Sequence, residues 1–269
     1  MDSLVFEGSR PESPARSLDW GSLAAPLFLG LFLITFVFVR IGNGLGAPEF
    51  LNAPWAGAAL LGLAAASSLV SLARQLPWQN VLLGTVLIAL MGAATEVVVL
   101  SIGSGLGSYG LQRAPFRPGS LWELSLAWVV AILNCRGVIR LVLRRWRFAS
   151  NYGFWVLGAT VVWTVLFVLN LGRFRPVQWQ TPSTGAVIGC AMGALITVAL
   201  VTPSLINKKP VSERANWHPL VIWLAFNLWF VAGAIEQGRW LPGVALLSQI
   251  FAMALFATYG KQPCALAKA

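Results

Sequence analysis

The chain has 269 residues, of which 57% are hydrophobic and only 10% are charged, and its mean hydropathy is +0.74. This composition excludes an ordinary soluble domain and predicts an integral membrane protein. The net charge of +10 does not indicate a nucleic-acid partner, because the basic residues fall in short segments beside apolar runs and form no basic domain.

The amino-terminal segment, MDSLVFEGSRPESPARSLDW, is polar and contains proline. It lacks the short apolar core of a signal peptide. We therefore expect residues 1–20 to form a mobile cytoplasmic tail and residues 21–260 to form a single transmembrane helical domain. Residues 261–269 would form a second cytoplasmic tail.

Apolar runs of about 20 residues are long enough to cross a hydrocarbon core of roughly 30 Å as helices. The chain contains eight such runs, so we predict an all-α, polytopic transmembrane helix bundle, with seven spans as the alternative count. The predicted spans cover residues 22–40, 54–73, 80–102, 121–143, 154–172, 183–204, 217–236 and 240–259.

The distribution of basic residues predicts the orientation of the bundle. With a cytoplasmic amino terminus, 13 of the 19 Lys and Arg residues fall on the cytoplasmic side and six on the other. This bias is the one that the positive-inside rule expects. We therefore expect both termini in the cytoplasm, an even number of spans, and a location in a bacterial inner (cytoplasmic) membrane.

Metal and haem sites are not indicated by the cysteines and the histidine. Cys135, Cys190 and Cys264 lie far apart in the chain and lack the spacing of metal ligands. The single histidine, His218, has no carboxylate or thiol nearby in the sequence, and one histidine cannot supply a bis-histidine haem site. We expect neither a metal nor another cofactor.

Small and basic residues recur at helical spacing in two spans. In the sixth span, Gly185, Gly189 and Gly193 share one helix face, which predicts a packing surface inside the bundle or towards a partner. In the fourth span, Arg136 and Arg140 share a face with Arg144. These arginines suit an anionic lipid headgroup, and snorkelling to the interface explains them equally well.

Glu96 is the most informative residue, because it is a carboxyl group inside the apolar third span. An ionisable group in lipid costs a few kcal/mol or more and marks a functional site by default. The glycines that follow, including Gly103 and Gly107, are expected to unwind the helix near the membrane surface. Tyr109 would then lie at the mouth of a cavity whose floor includes Glu96. A protonated glutamic acid bonded to a neighbouring helix is the structural alternative.

The segment around Glu96 resembles a known family. Glu96, Gly103, Gly107 and Tyr109 stand at intervals similar to a motif of the membrane carotenoid-biosynthesis proteins, which include bisanhydrobacterioruberin hydratase and carotenoid 1,2-hydratases. The Leu-Ala-Trp of residues 126–128 is similar to the second part of that motif, in the next span. The resemblance implies a membrane protein that adds water to a terminal polyene double bond, without a cofactor.

Hydration of a polyene needs an acid, stabilisation of a tertiary carbocation and a placed water. Glu96 and Glu123 are the carboxyl groups nearest the expected cavity, and aromatic faces can stabilise the cation. The predicted catalytic residues are Glu96, Tyr109 and Glu123. The predicted substrate- or pigment-binding residues are Gly103, Gly107, Trp128 and Trp163. Packing between helices is the alternative role for the two tryptophans.

Two functions follow from these residues. The first is a membrane enzyme, a hydro-lyase similar to carotenoid hydratases, and the retained glutamate-glycine-tyrosine spacing favours it. The second is a non-catalytic pigment- or lipid-binding subunit of a larger complex, such as a photosynthetic one. The family carries a pair of aspartates in a span where this chain reads WTVLFVLN, and this absence favours the second function. The expected partners are membrane lipids, a carotenoid or other isoprenoid and, for the second function, other membrane subunits.

Overall fold

The computed structural model describes residues 20–44, 54–101, 118–147, 149–172, 184–205, 216–236 and 238–259. Within these ranges there is no strand, and eight helices are long and apolar enough to cross a membrane. The prediction of an all-α bundle with about eight spans is therefore confirmed. The helices are α1 (Trp20–Gly44), α2 (Pro54–Ala73), α3 (Trp78–Ser101), α4 (Pro118–Val142), α5 (Tyr152–Gly172), α6 (Thr184–Val201), α7 (His218–Glu236) and α8 (Trp240–Tyr259).

Prolines and one glycine account for several helix ends. Pro219 and Pro242 lie in the first turns of α7 and α8, where a missing backbone N–H costs no helical hydrogen bond. Pro203 follows the end of α6, which continues only as a 3-10 turn over Thr202–Leu205. Gly238 adopts a φ of 71° between α7 and α8. That left-handed conformation suits glycine and allows the tight connection between the two helices.

Helix α4 is the central helix of the bundle. It packs against α2, α3, α5, α7 and α8, and 72% of its apolar span is buried. By contrast, only 17% of the span in α1 and 22% of the span in α8 are buried. These two helices therefore present most of their apolar side chains to the lipid, as expected for the periphery of a membrane protein.

Two glycines of α6, Gly189 and Gly193, pack against α3 inside the bundle. A Cβ atom on Gly193 would lie 2.3 Å from Thr95 Cγ2, and one on Gly189 would lie 2.6 Å from Val99 Cγ2. Both neighbours belong to α3. The glycines thus allow α3 and α6 to approach closely, which is the usual role of small residues at four-residue intervals in membranes.

Polar side chains join helices at several depths. Ser68 of α2 donates to Asn134 Oδ1 of α4 over 3.0 Å, and Ser71 donates to Asn216 Oδ1 over 2.8 Å. At the far end of the bundle, Arg40 of α1 forms an ion pair with Glu236 of α7. These bonds connect helices that are distant in sequence, so they help to set which helices are neighbours.

The two membrane ends of the bundle differ in charge. Consecutive helices run in opposite directions, so the ends of α1, α3 and α7 and the start of α4 lie together. We call this the carboxylate end, because the three carboxylates in the described ranges, Glu96, Glu123 and Glu236, all lie there. The opposite end is called the arginine end, because α4 finishes there with Arg136 and Arg140.

Candidate functional site

Glu96 lies within the bundle, on the last turns of α3. It stands five residues before Ser101, which corresponds to roughly 7.5 Å of helix rise from the end of α3. Its side chain is only 1% exposed. The indole Nε1–H of Trp128 on α4 donates a hydrogen bond to Glu96 Oε1 over 3.0 Å. The carboxyl group is therefore held between two helices and away from the lipid.

Gly92 explains why the tryptophan reaches this position. A Cβ atom on Gly92 would lie 2.4 Å from Trp128 Cγ and 2.5 Å from Trp128 Cβ. The missing side chain lets Trp128 pack directly onto the α3 backbone. Because Glu96 follows Gly92 by one helical turn on the same face, its carboxyl group meets the indole N–H.

The second carboxyl oxygen of Glu96 is buried and has no hydrogen-bond partner among the described residues. Most buried polar atoms in proteins have a partner, and an orphaned one calls for a structural or chemical reason. Thr95, the adjacent residue, does not supply a donor, because its hydroxyl group donates to Met91 O within α3. Glu96 Oε2 is therefore the carboxyl oxygen that no described residue satisfies.

Glu123 is not hydrogen bonded to Glu96. Within the described residues, Glu96 is bonded to Trp128 alone. Glu123 is half-buried and precedes Trp128 by five residues on α4, which separates the two side chains by roughly 140° around the helix. The structure thus brings together two of the predicted site residues, Glu96 and Trp128, and directs Glu123 elsewhere.

Trp163 belongs to a different aromatic cluster. Its ring is half-buried and lies edge-on to Trp223 of α7, with 5.8 Å between the ring centroids. Three further predicted site residues, Gly103, Gly107 and Tyr109, lie outside the described residues. The described part of the site therefore consists of Glu96, Trp128 and the supporting glycine.

Gly92 is a site residue that the sequence interpretation missed. Its signal is present in the sequence, since a glycine four residues before an intramembrane glutamate marks a place where a neighbouring helix can come close. Cys190 of α6 is fully buried and lies within electrostatic range of Glu96. The segment of α3 that carries Glu96 therefore packs against both α4 and α6.

The chemistry available at this site is proton exchange and hydrogen bonding. In the described ranges, no group of three or more His, Cys, Asp or Glu side chains could hold a metal ion. One carboxyl oxygen accepts a hydrogen bond from an indole, and the other has no donor among the described residues. Comparison of the chain with protein-family models, with curated proteins and with solved structures gives no match.

Proposed function

We propose that this protein modifies a carotenoid or a related isoprenoid by adding water to a terminal polyene double bond, with Glu96 as the proton donor. The hydrogen bond from Trp128 to Glu96 is the observation that supports this proposal. Both residues belong to the pattern that resembles the carotenoid-biosynthesis proteins, and they lie on different helices. Two residues that act together in catalysis must be in contact, and these two are.

In the proposed reaction, Glu96 acts first as a proton donor and then, as a carboxylate, as a proton acceptor. Glu96 protonates the less substituted carbon of the double bond, which leaves a tertiary carbocation at the other carbon and a carboxylate on Glu96. A water oxygen then bonds to the cation, and the proton that it releases returns to the carboxylate. The sum is alkene plus water giving a tertiary alcohol. The indole N–H of Trp128 stabilises the transient carboxylate, because hydrogen bonds to a charged acceptor are stronger than those to a neutral one.

A second candidate function is a non-catalytic pigment- or lipid-binding membrane subunit. The complete burial of Trp128 against Gly92 favours it, because this is also the geometry of a bond that only holds two helices together. The absence of any aspartate after Asp19 points the same way. In that case the protein would bind a pigment or lipid unchanged, together with other membrane subunits.

The test is to express the protein in membranes that contain an acyclic carotenoid and to analyse the extracted pigments by mass spectrometry. We expect a product heavier by one water, and we expect Glu96→Gln to abolish it because the amide cannot protonate an alkene. Glu236→Gln is the matched control, since it makes the same change at the same end of the bundle, in a residue paired with Arg40.

Two outcomes would argue against the enzyme. Hydrated product that persists in Glu96→Gln would remove Glu96 from the mechanism. If no acyclic carotenoid gives a product, but pigment or partner subunits co-purify stoichiometrically with both wild type and Glu96→Gln, the second function is the correct one.

A further inference from the structure

A pocket lies at the arginine end of the bundle, where α4 ends, α5 begins and α6 ends. Its volume is about 260 Å³. Its lining consists of two arginines, one tyrosine, two threonines and a wall of apolar residues. The polar lining residues are Arg136, Arg140, Tyr152, Thr160 and Thr202. The pocket is thus separate from Glu96, which lies at the carboxylate end.

Two guanidinium groups line this pocket, and no carboxylate is among its described lining residues. Arg136 and Arg140 are one turn apart on α4, and Arg136 is 8% exposed. The described carboxylates all lie at the other end of the bundle. Like charges four residues apart on a helix repel each other, so this arrangement is unfavourable unless an anion lies between them.

Within the described part of the chain, Arg136 uses one of its N–H donors in a hydrogen bond. Its Nη2 atom donates to Leu205 O over 3.1 Å, and this is its only hydrogen bond to a described residue. A guanidinium group carries five N–H donors, so the other donors of Arg136 have no partner among the described residues. Arg136 also stands six residues before the end of its span at Val142, or roughly 9 Å below it. Leu205 is the last residue of the sixth span, so the guanidinium group reaches toward the end of the bundle while the residue stays buried among α4, α5 and α6.

The other lining residues define the kind of ligand. The hydroxyl groups of Thr160 and Thr202 donate to carbonyl oxygens of their own helices over 2.6 Å, so they offer no donor to the pocket. The guanidinium groups are then the principal donors. The apolar wall formed by Val156, Leu157 and Val198 suits a hydrocarbon chain beside the anionic group.

We propose that this pocket binds a phosphate-bearing anion, with Arg136 and Arg140 on the phosphate and the apolar wall against an attached chain. Guanidinium groups match phosphate oxygens in geometry as well as in charge. The phosphate belongs either to an anionic lipid or to a soluble phosphate or diphosphate compound. The proposal does not depend on the chemistry of Glu96.

The experiment is native mass spectrometry of the full chain in detergent, with three ligands titrated in turn. They are phosphatidylglycerol, phosphatidylcholine and inorganic pyrophosphate. Arg140→Gln removes one guanidinium group and leaves the bond between Arg136 and Leu205 in place. Gly153→Leu keeps both arginines and narrows the pocket, since Gly153 lines it and has no heavy atom within 4 Å of a Cβ position. Arg147→Gln is the charge-matched control, exposed at the same end and outside the pocket lining.

We expect Arg140→Gln to weaken anion binding by about tenfold, the size of one charge-assisted hydrogen bond. Gly153→Leu should also weaken it, because the added side chain occupies space in the pocket. Arg147→Gln should weaken it less than about threefold. Preferential binding of phosphatidylglycerol over phosphatidylcholine identifies the lipid as the source of the phosphate, and binding of pyrophosphate with the same variant pattern identifies a soluble compound. Equal losses in Arg140→Gln and Arg147→Gln, or no saturable binding of any of the three ligands, would overturn the proposal.

Discussion

At the scale of single residues, the bond between Glu96 and Trp128 decides how a carboxyl group is tolerated inside the bundle. Replacing both members of a buried polar pair by apolar groups is often nearly neutral, whereas removing one member leaves the other unsatisfied at a cost of about 1–3 kcal/mol. Within the described residues, one oxygen of Glu96 has no partner and the indole N–H is the donor to the other, so this bond keeps the carboxyl group in place.

A double-mutant cycle tests this dependence. Trp128→Phe keeps an aromatic ring but removes the N–H, so we expect it to lower the free energy of unfolding by about 1–3 kcal/mol in the wild-type background. In a Glu96→Leu background the same substitution should cost less, by about 0.6–1.7 kcal/mol, because no acceptor is left stranded. Reversible unfolding in mixed micelles, followed by circular dichroism, measures both values. An equal cost in the two backgrounds would show that the indole acts by packing alone.

At the scale of helices, the contact between α3 and α6 depends on glycine. Thr95 and Val99 of α3 occupy the space above Gly193 and Gly189, and Gly92 of α3 receives Trp128 on another face. Helix α3 is therefore fixed by close approach on two sides. These contacts determine the geometry of the Glu96 site, because a shift of α3 would change the distance between the Glu96 carboxyl group and the Trp128 indole.

Gly193→Ala should therefore destabilise the bundle. The added methyl group would lie 2.3 Å from Thr95, and forcing extra volume into a packed interior costs about 1–3 kcal/mol. Gly158→Ala on α5 is the control, since nothing lies within 4 Å of its Cβ position. It should be neutral or should stabilise by up to about 1 kcal/mol. Thermal unfolding in detergent compares the two variants, and equal melting temperatures would contradict the close packing of α3 and α6.

At the scale of the whole molecule, charge is divided between the two ends of the bundle. The arginine end carries Arg74, Arg136 and Arg140, while the carboxylate end carries the Arg40–Glu236 ion pair, Glu96 and Glu123. With eight spans, both termini are expected on one side of the membrane. The positive-inside rule predicts that the arginine end faces the cytoplasm.

Cysteine labelling tests this orientation. Single cysteines at Ser150 and at Arg239 stand at the arginine end and at the carboxylate end, both at exposed positions. In right-side-out vesicles, a membrane-impermeant maleimide should label Arg239→Cys and leave Ser150→Cys unlabelled, and inside-out vesicles should give the reverse. The background replaces Cys135, Cys190 and Cys264. Labelling of both positions from one side would be incompatible with the predicted topology.

The sequence alone predicted where the membrane spans lie, but not which face of each helix contacts its neighbours. Predicted spans 54–73 and 240–259 coincide with α2 and α8, because length and hydropathy alone mark a membrane helix. Helix rotation leaves little trace in these sequences, since lipid and helix neighbours are both apolar and the hydrophobic pattern has no preferred face. Spacing similar to a known motif brought Glu96 and Trp128 together as candidates. The role of Gly92 and the direction of Glu123 required the packing of α4 against α3.

The central position of α4 has a consequence for how the protein is made. When α4 leaves the ribosome, the groups that satisfy Trp128 and Asn134 are already present, since Glu96 and Ser68 precede them in the chain. The acceptor of Arg136 is Leu205, which is 69 residues later. At about 5–20 residues per second, that interval lasts about 3–14 s. Throughout this interval, the half-built protein carries a deep arginine whose hydrogen-bond acceptor has not yet been synthesised.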